Sequence, residues 1–212
     1  MSTTRLRRLL LVCGAVVWGS SVTLGFTFLL KYAVEAGAPA TAPERWPTES
    51  RIPAPEGAYT LVMTIHPQCP CSRASVTELN NLMAFLRRER VKGYVLVVKP
   101  ADYPDTWIGT ESVRSAARIP GVDVIVDIDG KESSRLGAAT SGQVLVYGPD
   151  ARLRFAGGIT PERGHLGDSA GRQRILALVR NGTADGKDSL VYGCALGATI
   201  CPPRPHSTTT GM

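Results

Sequence analysis

Two cysteines lie one residue apart in the stretch TIHPQCPCSRASVTEL, which covers residues 64–79. Cys69 and Cys71 flank Pro70, and His66 lies three residues before the first of them. A thiolate is both a nucleophile and a metal ligand, and its pKa falls at a helix N-terminus, where unpaired N–H groups point outward. Three chemistries fit this spacing: a redox pair, part of a metal site, or two structural thiols.

The segments on either side are predicted to place these cysteines between a strand and a helix. Residues 58–65, AYTLVMTI, are β-branched and aliphatic, which is typical of a strand. Residues 72–90 carry apolar side chains at helical spacing, and Ser72 is the expected N-cap. Thiols at such a junction are expected to escape burial. The position therefore favours redox chemistry over a structural role for Cys69 and Cys71.

The rest of the chain alternates between strand and helix patterns up to residue 181. The further predicted strands are residues 94–99, 122–129, 143–148 and 151–158, and the further predicted helices are residues 110–117, 131–136 and 171–181. Gly148-Pro149-Asp150 is a turn signal between the last two strands. The order β-α-β-α-β-(α)-β-β-α predicts an α/β fold with a mixed sheet covered by helices.

The N-terminus carries an uncharged apolar run over residues 9–30. As a helix this run is about 33 Å long, enough to cross a hydrocarbon core of about 30 Å. Three arginines precede it and only Lys31 immediately follows, so the positive-inside rule predicts a cytoplasmic N-terminus. An uncleaved anchor is favoured over a cleaved signal peptide, whose apolar region is usually about 7–15 residues long. Cleavage at Ala38-Pro39-Ala40 is the alternative.

Four segments are predicted from these patterns: an N-terminus and anchor over residues 1–31, a linker over 32–57, a domain over 58–182, and a loop-rich tail over 183–212. The linker carries five prolines and few aliphatic residues, so it is expected to be a semi-extended spacer. In the tail, Cys194 and Cys201 are expected either to form a structural disulfide or to be a second redox pair that serves Cys69 and Cys71.

The domain resembles the thioredoxin-like proteins, specifically the membrane-anchored, extracytoplasmic TlpA/ResA class, over about residues 58–181. The first strand delivers two cysteines to a helix start, and VIVDIDGKESSRLGAATSGQVLVYGPDARLRFAGGI resembles the family's strand, short helix and β-hairpin. HPQCPCSRAS together with GGITPERGHLGD resembles the narrower RedB-like group. The resemblance implies a thioredoxin-like sheet, with Cys69 as the attacking thiol and Cys71 as the resolving thiol.

The chain departs from the family's pattern at two positions. The usual redox motif has two residues between its cysteines, and here Pro70 stands alone between them. The family also places a cis-proline before the hairpin, where this chain has Gly142. A Cys69–Cys71 disulfide would close a small, strained ring, and strain makes a disulfide easier to reduce.

Two histidines are candidate catalytic residues beside the cysteines. His66 is expected to lower the pKa of Cys69 or to donate a proton to the leaving thiol. His165 follows the second hairpin strand, whose end returns beside the active cysteines in this fold. The alternative is a copper or zinc site made from Cys69, Cys71 and either His66 or His165, because thiolates and imidazole suit these metals.

The favoured function is a thiol–disulfide oxidoreductase without a cofactor, acting on extracytoplasmic protein thiols or disulfides and reset by a membrane redox partner. The expected location is the inner membrane, with residues 9–30 in the bilayer and the domain in the periplasm. The alternatives are a copper- or zinc-binding chaperone or sensor, and a non-catalytic scaffold with structural cysteines. The net charge of +6 comes from scattered residues with no basic stripe, so no nucleic-acid partner is expected.

Overall fold

The computed structural model describes residues 3–197 and divides into two compact units, the first ending at Glu35 and the second beginning at Ala36. The first unit is one helix, α1, Thr3–Val34. It is about 48 Å long at about 1.5 Å per residue. Among the described residues it is the one helix long and apolar enough to cross a membrane, with a mean hydropathy of 1.9 over an 18-residue window. It contains the predicted span.

The second unit is built on a sheet that has five strands in the part of the chain described. These are β1 (Tyr59–Ile65), β2 (Val91–Lys99), β3 (Val122–Ile128), β4 (Gln143–Tyr147) and β5 (Leu153–Gly157). They lie in the order β3-β2-β1-β4-β5. β1 and β3 run parallel to β2, whereas β4 runs antiparallel to β1 and β5. This is the predicted mixed sheet, and its strand order is that of a thioredoxin-like fold.

The helices of this unit follow the predicted order, with shifted ends. They are α2 (Ser72–Phe85), α3 (Glu111–Ala117), α4 (Lys131–Arg135) and α5 (Ala170–Asn181), with a 3-10 turn at Asp105–Ile108. The N-cap of α2 is Cys71 and not the predicted Ser72. The Ser72 hydroxyl instead donates to the His66 carbonyl at 2.9 Å, which ties the first turn of α2 back to the end of β1.

One face of the sheet packs against α2 and α5. Alternate side chains of a strand share a face, so β1 directs Leu61, Met63 and Ile65 into this layer, where all three are fully buried. Leu79 of α2 and Ile175 of α5 are fully buried against them. This apolar packing fixes the N-terminus of α2 beside the carboxyl end of β1, where the cysteine pair lies.

The other face of the sheet is covered by the proline-rich segment. The prediction of a free spacer over residues 32–57 is therefore wrong from Ala36 onward. Trp46 and Ile52 are 7% and 1% exposed, and the indole ring contacts the Tyr147 ring edge to face, with centroids 4.9 Å apart. The physical reason is that α4 has only five residues and cannot cover the apolar side chains of this face.

The described part of the C-terminal tail, residues 183–197, has no helix or strand but packs along the domain. The amide of Ala156 in β5 donates to the Lys187 carbonyl at 2.7 Å. The chain then runs back toward the loop before β4, which brings Cys194 near α2. Cys201, the other cysteine of the predicted tail pair, lies outside the described residues.

Candidate thiol site

The loop between β1 and α2 holds Cys69 in a tight, hydrogen-bonded turn. The Cys69 amide donates to the His66 carbonyl at 3.0 Å, and the Ser72 amide donates to the Cys69 carbonyl at 3.1 Å. The turn therefore brings Cys69 to the start of α2. Backbone amides of Cys71 and Ser72 act on the Cys69 sulfur there and lower its pKa, as expected at a helix N-terminus.

Both thiols of the predicted pair are buried, with Cys69 4% exposed and Cys71 6% exposed. The expectation that a strand–helix junction leaves these thiols accessible is therefore wrong. The tail contributes to the burial, because the Sγ atom of Cys194 lies 3.0 Å from the Sγ atom of Cys69. Sequence analysis grouped Cys194 with Cys201, whereas the structure places it in contact with Cys69.

The backbone of the tail around Cys194 is hydrogen-bonded to the loop before β4. The Ser141 amide donates to the Cys194 carbonyl at 2.7 Å, and the Leu196 amide donates to the Ala139 carbonyl at 2.9 Å. The residues between these donors and acceptors form an antiparallel bridge. Three residues on each side are thus paired in the manner of β-strand addition, and the pairing sets the position of the Cys194 sulfur.

A glycine next to Cys194 permits this close approach. A Cβ atom at Gly193 would lie 1.9 Å from the Ser141 carbonyl oxygen, a distance that backbone cannot accommodate without moving. From the other side, Arg163 Nη1 donates to the Gly193 carbonyl at 2.8 Å. The tail is therefore held at Gly193 by both a steric requirement and a hydrogen bond.

The contact between the Cys69 and Cys194 sulfur atoms shifts the pKa values of these two thiols in opposite directions. The hydrogen bond with Cys194 lowers the pKa of Cys69 to about 5 and outweighs the opposing effect of burial. Burial, followed by the charge on Cys69, raises the pKa of Cys71. The same hydrogen bond, reinforced by burial, raises the pKa of Cys194. Cys69 is therefore the thiol of the site that gives up its proton most readily, whereas Cys71 and Cys194 hold theirs more tightly.

His66 lies beside Cys69, as predicted, but it is neutral at neutral pH. Burial lowers its pKa, and the charge of Cys69 opposes that effect only in part. The imidazole packs edge to face on Trp107, with ring centroids 5.5 Å apart. Its Nδ1 atom is buried and has no hydrogen-bond partner among the described residues. His66 therefore cannot lower the pKa of Cys69 by positive charge.

His165 does not take the predicted place beside the thiols. Its side chain is 65% exposed, and its Nδ1 atom contacts the Arg163 carbonyl at 3.0 Å and a Glu162 carboxylate oxygen at 3.8 Å. Arg163 of the same loop faces the site instead, since its charge lowers the pKa of Cys71. The residue of this loop that reaches the site is Arg163, which also donates to the Gly193 carbonyl.

Gly142 precedes β4, at the position predicted from the family's cis-proline. Its φ of +87° lies in the left-handed region, and its amide donates to the Thr64 carbonyl at 2.8 Å. The neighbouring Ser141 hydroxyl accepts from the His66 amide at 2.9 Å and lies 3.0 Å from the Ser72 hydroxyl. This network joins the loop before β4 to the cysteine turn, so the tail and Cys69 are positioned by the same elements.

In residues 3–197 no group of three or more His, Cys, Asp or Glu side chains is arranged to hold a metal ion. The copper or zinc alternative based on Cys69, Cys71 and His66 or His165 therefore gains no support from this geometry. The pair that is in direct contact consists of Cys69 and Cys194, and two sulfur atoms 3.0 Å apart are placed for bond formation with each other.

Sequence reasoning missed Cys194, Arg163 and Ser141 as site residues. A signal for Cys194 existed in the cysteine count, because four cysteines outside the anchor allow three pairings, and one of them joins Cys69 to Cys194. Arg163 and Ser141 carry no comparable signal. Both come from loops whose path depends on how β4 and β5 return across the sheet.

No family model matches the chain, and no curated protein matches it. Among solved structures the chain is similar to an uncharacterised conserved protein from Geobacillus kaustophilus, with 15% identity and a TM-score of 0.56 over 79% of this chain and 94% of that one. A hypothetical protein from Sinorhizobium meliloti 1021 is similar at 16% identity, with a TM-score of 0.57 over 80% of this chain and 99% of that one.

A third match is a secreted Mycobacterium tuberculosis disulfide oxidoreductase homologous to E. coli DsbE. It shares 14% identity and has a TM-score of 0.42, over 60% of this chain and 84% of that one. The first two matches show that the chain shares their fold. Activity has to be argued from the site itself, because one fold supports many functions.

Proposed function

We propose that this protein is a thiol–disulfide oxidoreductase that exchanges disulfides with other proteins through Cys69. The observation that carries the proposal is the Cys69 sulfur at the start of α2, 3.0 Å from the sulfur of a second thiol, and the contacts there lower the pKa of Cys69. An inert buried cysteine has neither feature, because apolar burial alone raises a thiol pKa. The combination of a preformed thiolate and an adjacent thiol is what two-step exchange requires.

In the proposed reaction the Cys69 thiolate attacks one sulfur of a partner disulfide. A mixed disulfide forms, and the other partner sulfur leaves as a thiolate that takes up a proton. A second thiol of the site, deprotonated, then attacks the Cys69 sulfur and releases the remaining partner thiol. The partner gains two electrons from the site and two protons, one from the second thiol and one from solvent, because Cys69 enters the reaction deprotonated. The reverse sequence breaks and forms the same bonds.

The surroundings of Cys69 assist this exchange in two ways. The amides of Cys71 and Ser72 stabilise the thiolate, both as the attacking group and as the leaving group of the second step. His66 is uncharged beside the sulfur, so its imidazole is available to accept a proton from an incoming thiol. Both roles rest on groups that the β1–α2 turn fixes in place.

A trapping experiment tests the proposal. In the full-length protein, replacement of both Cys71 and Cys194 by serine leaves Cys69 without a nearby thiol to complete the exchange. We expect this variant to accumulate mixed disulfides with partner proteins that run as reducible adducts on non-reducing gels. Mass spectrometry of the adducts then identifies the partners.

The matched control adds Cys69→Ser to the same background. We expect its adducts to disappear, because the attacking sulfur is gone. Adducts that persist without Cys69, or a trapping variant that forms none, would contradict the assignment of Cys69 as the nucleophile. A Cys13→Ser variant of the trapping protein controls for the cysteine of α1 and is expected to trap as before.

We propose further that α1 anchors the domain on the extracytoplasmic side of the cytoplasmic membrane, as the resemblance to the TlpA/ResA class implies. Support comes from its length and from three arginines before the apolar run, which favour a cytoplasmic N-terminus. Alkaline phosphatase, which needs an oxidising compartment, should be active and membrane-bound when fused after Gly57. An inactive fusion would reverse the orientation, and an active soluble one would show that the segment is cleaved.

A further inference from the structure

We propose that Cys194 is the resolving thiol of Cys69, so that the disulfide formed in the catalytic cycle joins the C-terminal tail to the start of α2. The inference rests on the proposed function and assigns the second step of the exchange to a residue other than Cys71. In this assignment the tail around Cys194 is a segment of the same chain that pairs with the loop before β4 and covers the Cys69 sulfur.

The sulfur atoms of Cys69 and Cys194 are close enough to form a bond after a small movement. Cys194 Sγ lies 3.0 Å from Cys69 Sγ, although the two residues are 125 positions apart in the chain. A disulfide bond of about 2.05 Å needs the two sulfur atoms to approach by only about 1 Å. Such an approach is within the range of small side-chain movements.

Backbone hydrogen bonds hold the tail in the position that brings the Cys194 sulfur to Cys69. Two backbone hydrogen bonds, Ser141 amide to Cys194 carbonyl and Leu196 amide to Ala139 carbonyl, bracket the residue that carries the sulfur. Gly193 lets the tail approach Ser141 closely, and a Cβ atom there would prevent it. The paired backbone and the glycine at the closest contact together indicate a specific docking of the tail at this site.

Arg163 interacts with both the tail and the cysteine pair. Its guanidinium donates to the Gly193 carbonyl at 2.8 Å and its charge also acts on the Cys71 thiol. One side chain thus connects the tail to the wall of the site. The tail, the loop before β4 and the cysteine turn form a single hydrogen-bonded unit around the Cys69 sulfur.

Cys71 is the competing resolving thiol, and its position is less favourable. Only Pro70 separates it from Cys69, so a Cys69–Cys71 bridge closes a small ring and stores strain. Cys71 is also the N-cap of α2, with helical φ and ψ of −69° and −24°, so its backbone is part of the helix that a bridge to Cys69 would have to distort. A bridge to Cys194 avoids both problems.

The chemistry balances with a partner disulfide as the oxidant. The Cys69 thiolate takes one partner sulfur and the other leaves as a thiol. The Cys194 thiol gives up its proton, its sulfur attacks Cys69 Sγ, and the remaining partner sulfur leaves with that proton. The Cys69 thiolate, the Cys194 thiol, one partner disulfide and one proton from solvent, which the first leaving sulfur takes up, become one Cys69–Cys194 disulfide and two partner thiols.

Disulfide mapping of the full-length protein in detergent tests the assignment directly. The reduced protein receives one equivalent of glutathione disulfide at pH 7, the remaining thiols are alkylated, and tryptic peptides are analysed. We expect a bridge that joins the Cys69 peptide to the Cys194 peptide. Cys69 and Cys71 share one tryptic peptide and Cys194 and Cys201 share another. The same bridge must therefore also form in Cys71→Ser and Cys201→Ser variants and must be lost in Cys69→Ser and Cys194→Ser.

A bridge within the Cys69–Cys71 peptide, or one between Cys194 and Cys201, would overturn the inference and leave the proposed function standing. A Cys69 that forms no disulfide with glutathione or with any other cysteine would overturn the proposed function itself. The two failures are therefore distinguishable, because the wild-type map shows whether the Cys69–Cys71 peptide enters any disulfide and the serine variants show which cysteines are joined.

A pair of glycine variants tests the role of the docked tail. Gly193→Ala places a methyl group against the Ser141 carbonyl, whereas a Cβ at Gly197 meets nothing within 4 Å. Starting from a Cys69–glutathione mixed disulfide, we expect release of glutathione to be at least about tenfold slower in Gly193→Ala, because misplacement of a reacting group by about 1 Å costs this much or more. Gly197→Ala should release glutathione at the wild-type rate. Equal rates in the two variants would overturn the inference.

Discussion

The hydrogen bond between Cys194 and Cys69 leads to a specific prediction about the acidity of Cys69. This bond is the largest influence that lowers the pKa of Cys69 to about 5, with the backbone amides of Cys194, Cys71 and Ser72 contributing less and remaining in the variant below. Cys194→Ala removes the donor and keeps the side chain small enough to fit the same space. We therefore expect the pKa of Cys69 to rise toward the value of about 8.5 for an unperturbed cysteine.

The size of the effect follows from the fraction of thiolate. At pH 5 a thiol with a pKa of about 5 is about half ionised, and at pH 7 it is almost fully ionised, so the ratio of reaction rates at pH 5 and pH 7 is about 0.5. A pKa of about 8.5 lowers that ratio to about 0.01. The absolute rate at pH 7 is a poor measure, because a less acidic thiolate is the stronger nucleophile and this offsets its lower abundance.

The assay is alkylation of the full-length reduced protein by iodoacetamide, quantified at Cys69 by mass spectrometry between pH 4 and pH 9. The ratio of rates also cancels any gain in access that the smaller side chain at position 194 allows. A Cys13→Ala variant, altered only in α1, should keep the wild-type ratio. A ratio that stays near 0.5 in Cys194→Ala would show that the Cys194 hydrogen bond is not what makes Cys69 acidic.

Three further predictions concern stability, each measured by urea unfolding of the full-length protein in detergent. Trp46→Ala should lower the free energy of unfolding by about 3–5 kcal/mol, because it leaves a cavity in the packed face of the sheet. The control Leu166→Ala, on the exposed loop, should change it by less than about 0.5 kcal/mol. Equal losses in the two variants would contradict the covering role of residues 36–57. Gly142→Ala should lower the free energy of unfolding by at least about 1–2 kcal/mol, because the backbone at this position is left-handed. Gly142→Pro should lower it further, since it also removes the amide that donates to the Thr64 carbonyl. An unchanged stability in the proline variant would refute this geometry. Because Cys69 binds its proton less tightly when folded, the reduced protein should become more stable from about pH 5 to about pH 8.5, by up to about 1.4 kcal/mol per pH unit, and lose that stability as the pH falls toward 5. Cys69→Ala should lack this component, and identical pH dependence in the two proteins would refute the lowered pKa.

The sequence alone was sufficient for the elements whose residues are close together in the chain. Aliphatic runs such as residues 58–65 predicted the strands, and helical spacing after Cys71 predicted α2, because a strand or helix buries its apolar residues at a fixed local period. The same local reasoning placed Cys69 and His66 at the end of β1. It also predicted α1, since an uncharged run of this length has few alternatives to a long apolar helix.

The tertiary structure alone decided which distant residues meet. Residues 36–57 look like a spacer because their apolar residues are few, yet Trp46 is buried on a sheet face that the short α4 leaves bare. Cys194 meets Cys69 because β4 and β5 bring the tail back across the sheet and pair it with the loop at Ser141. Local patterns do not encode such a contact, because it depends on packing and strand pairing between residues that are 125 positions apart in the chain.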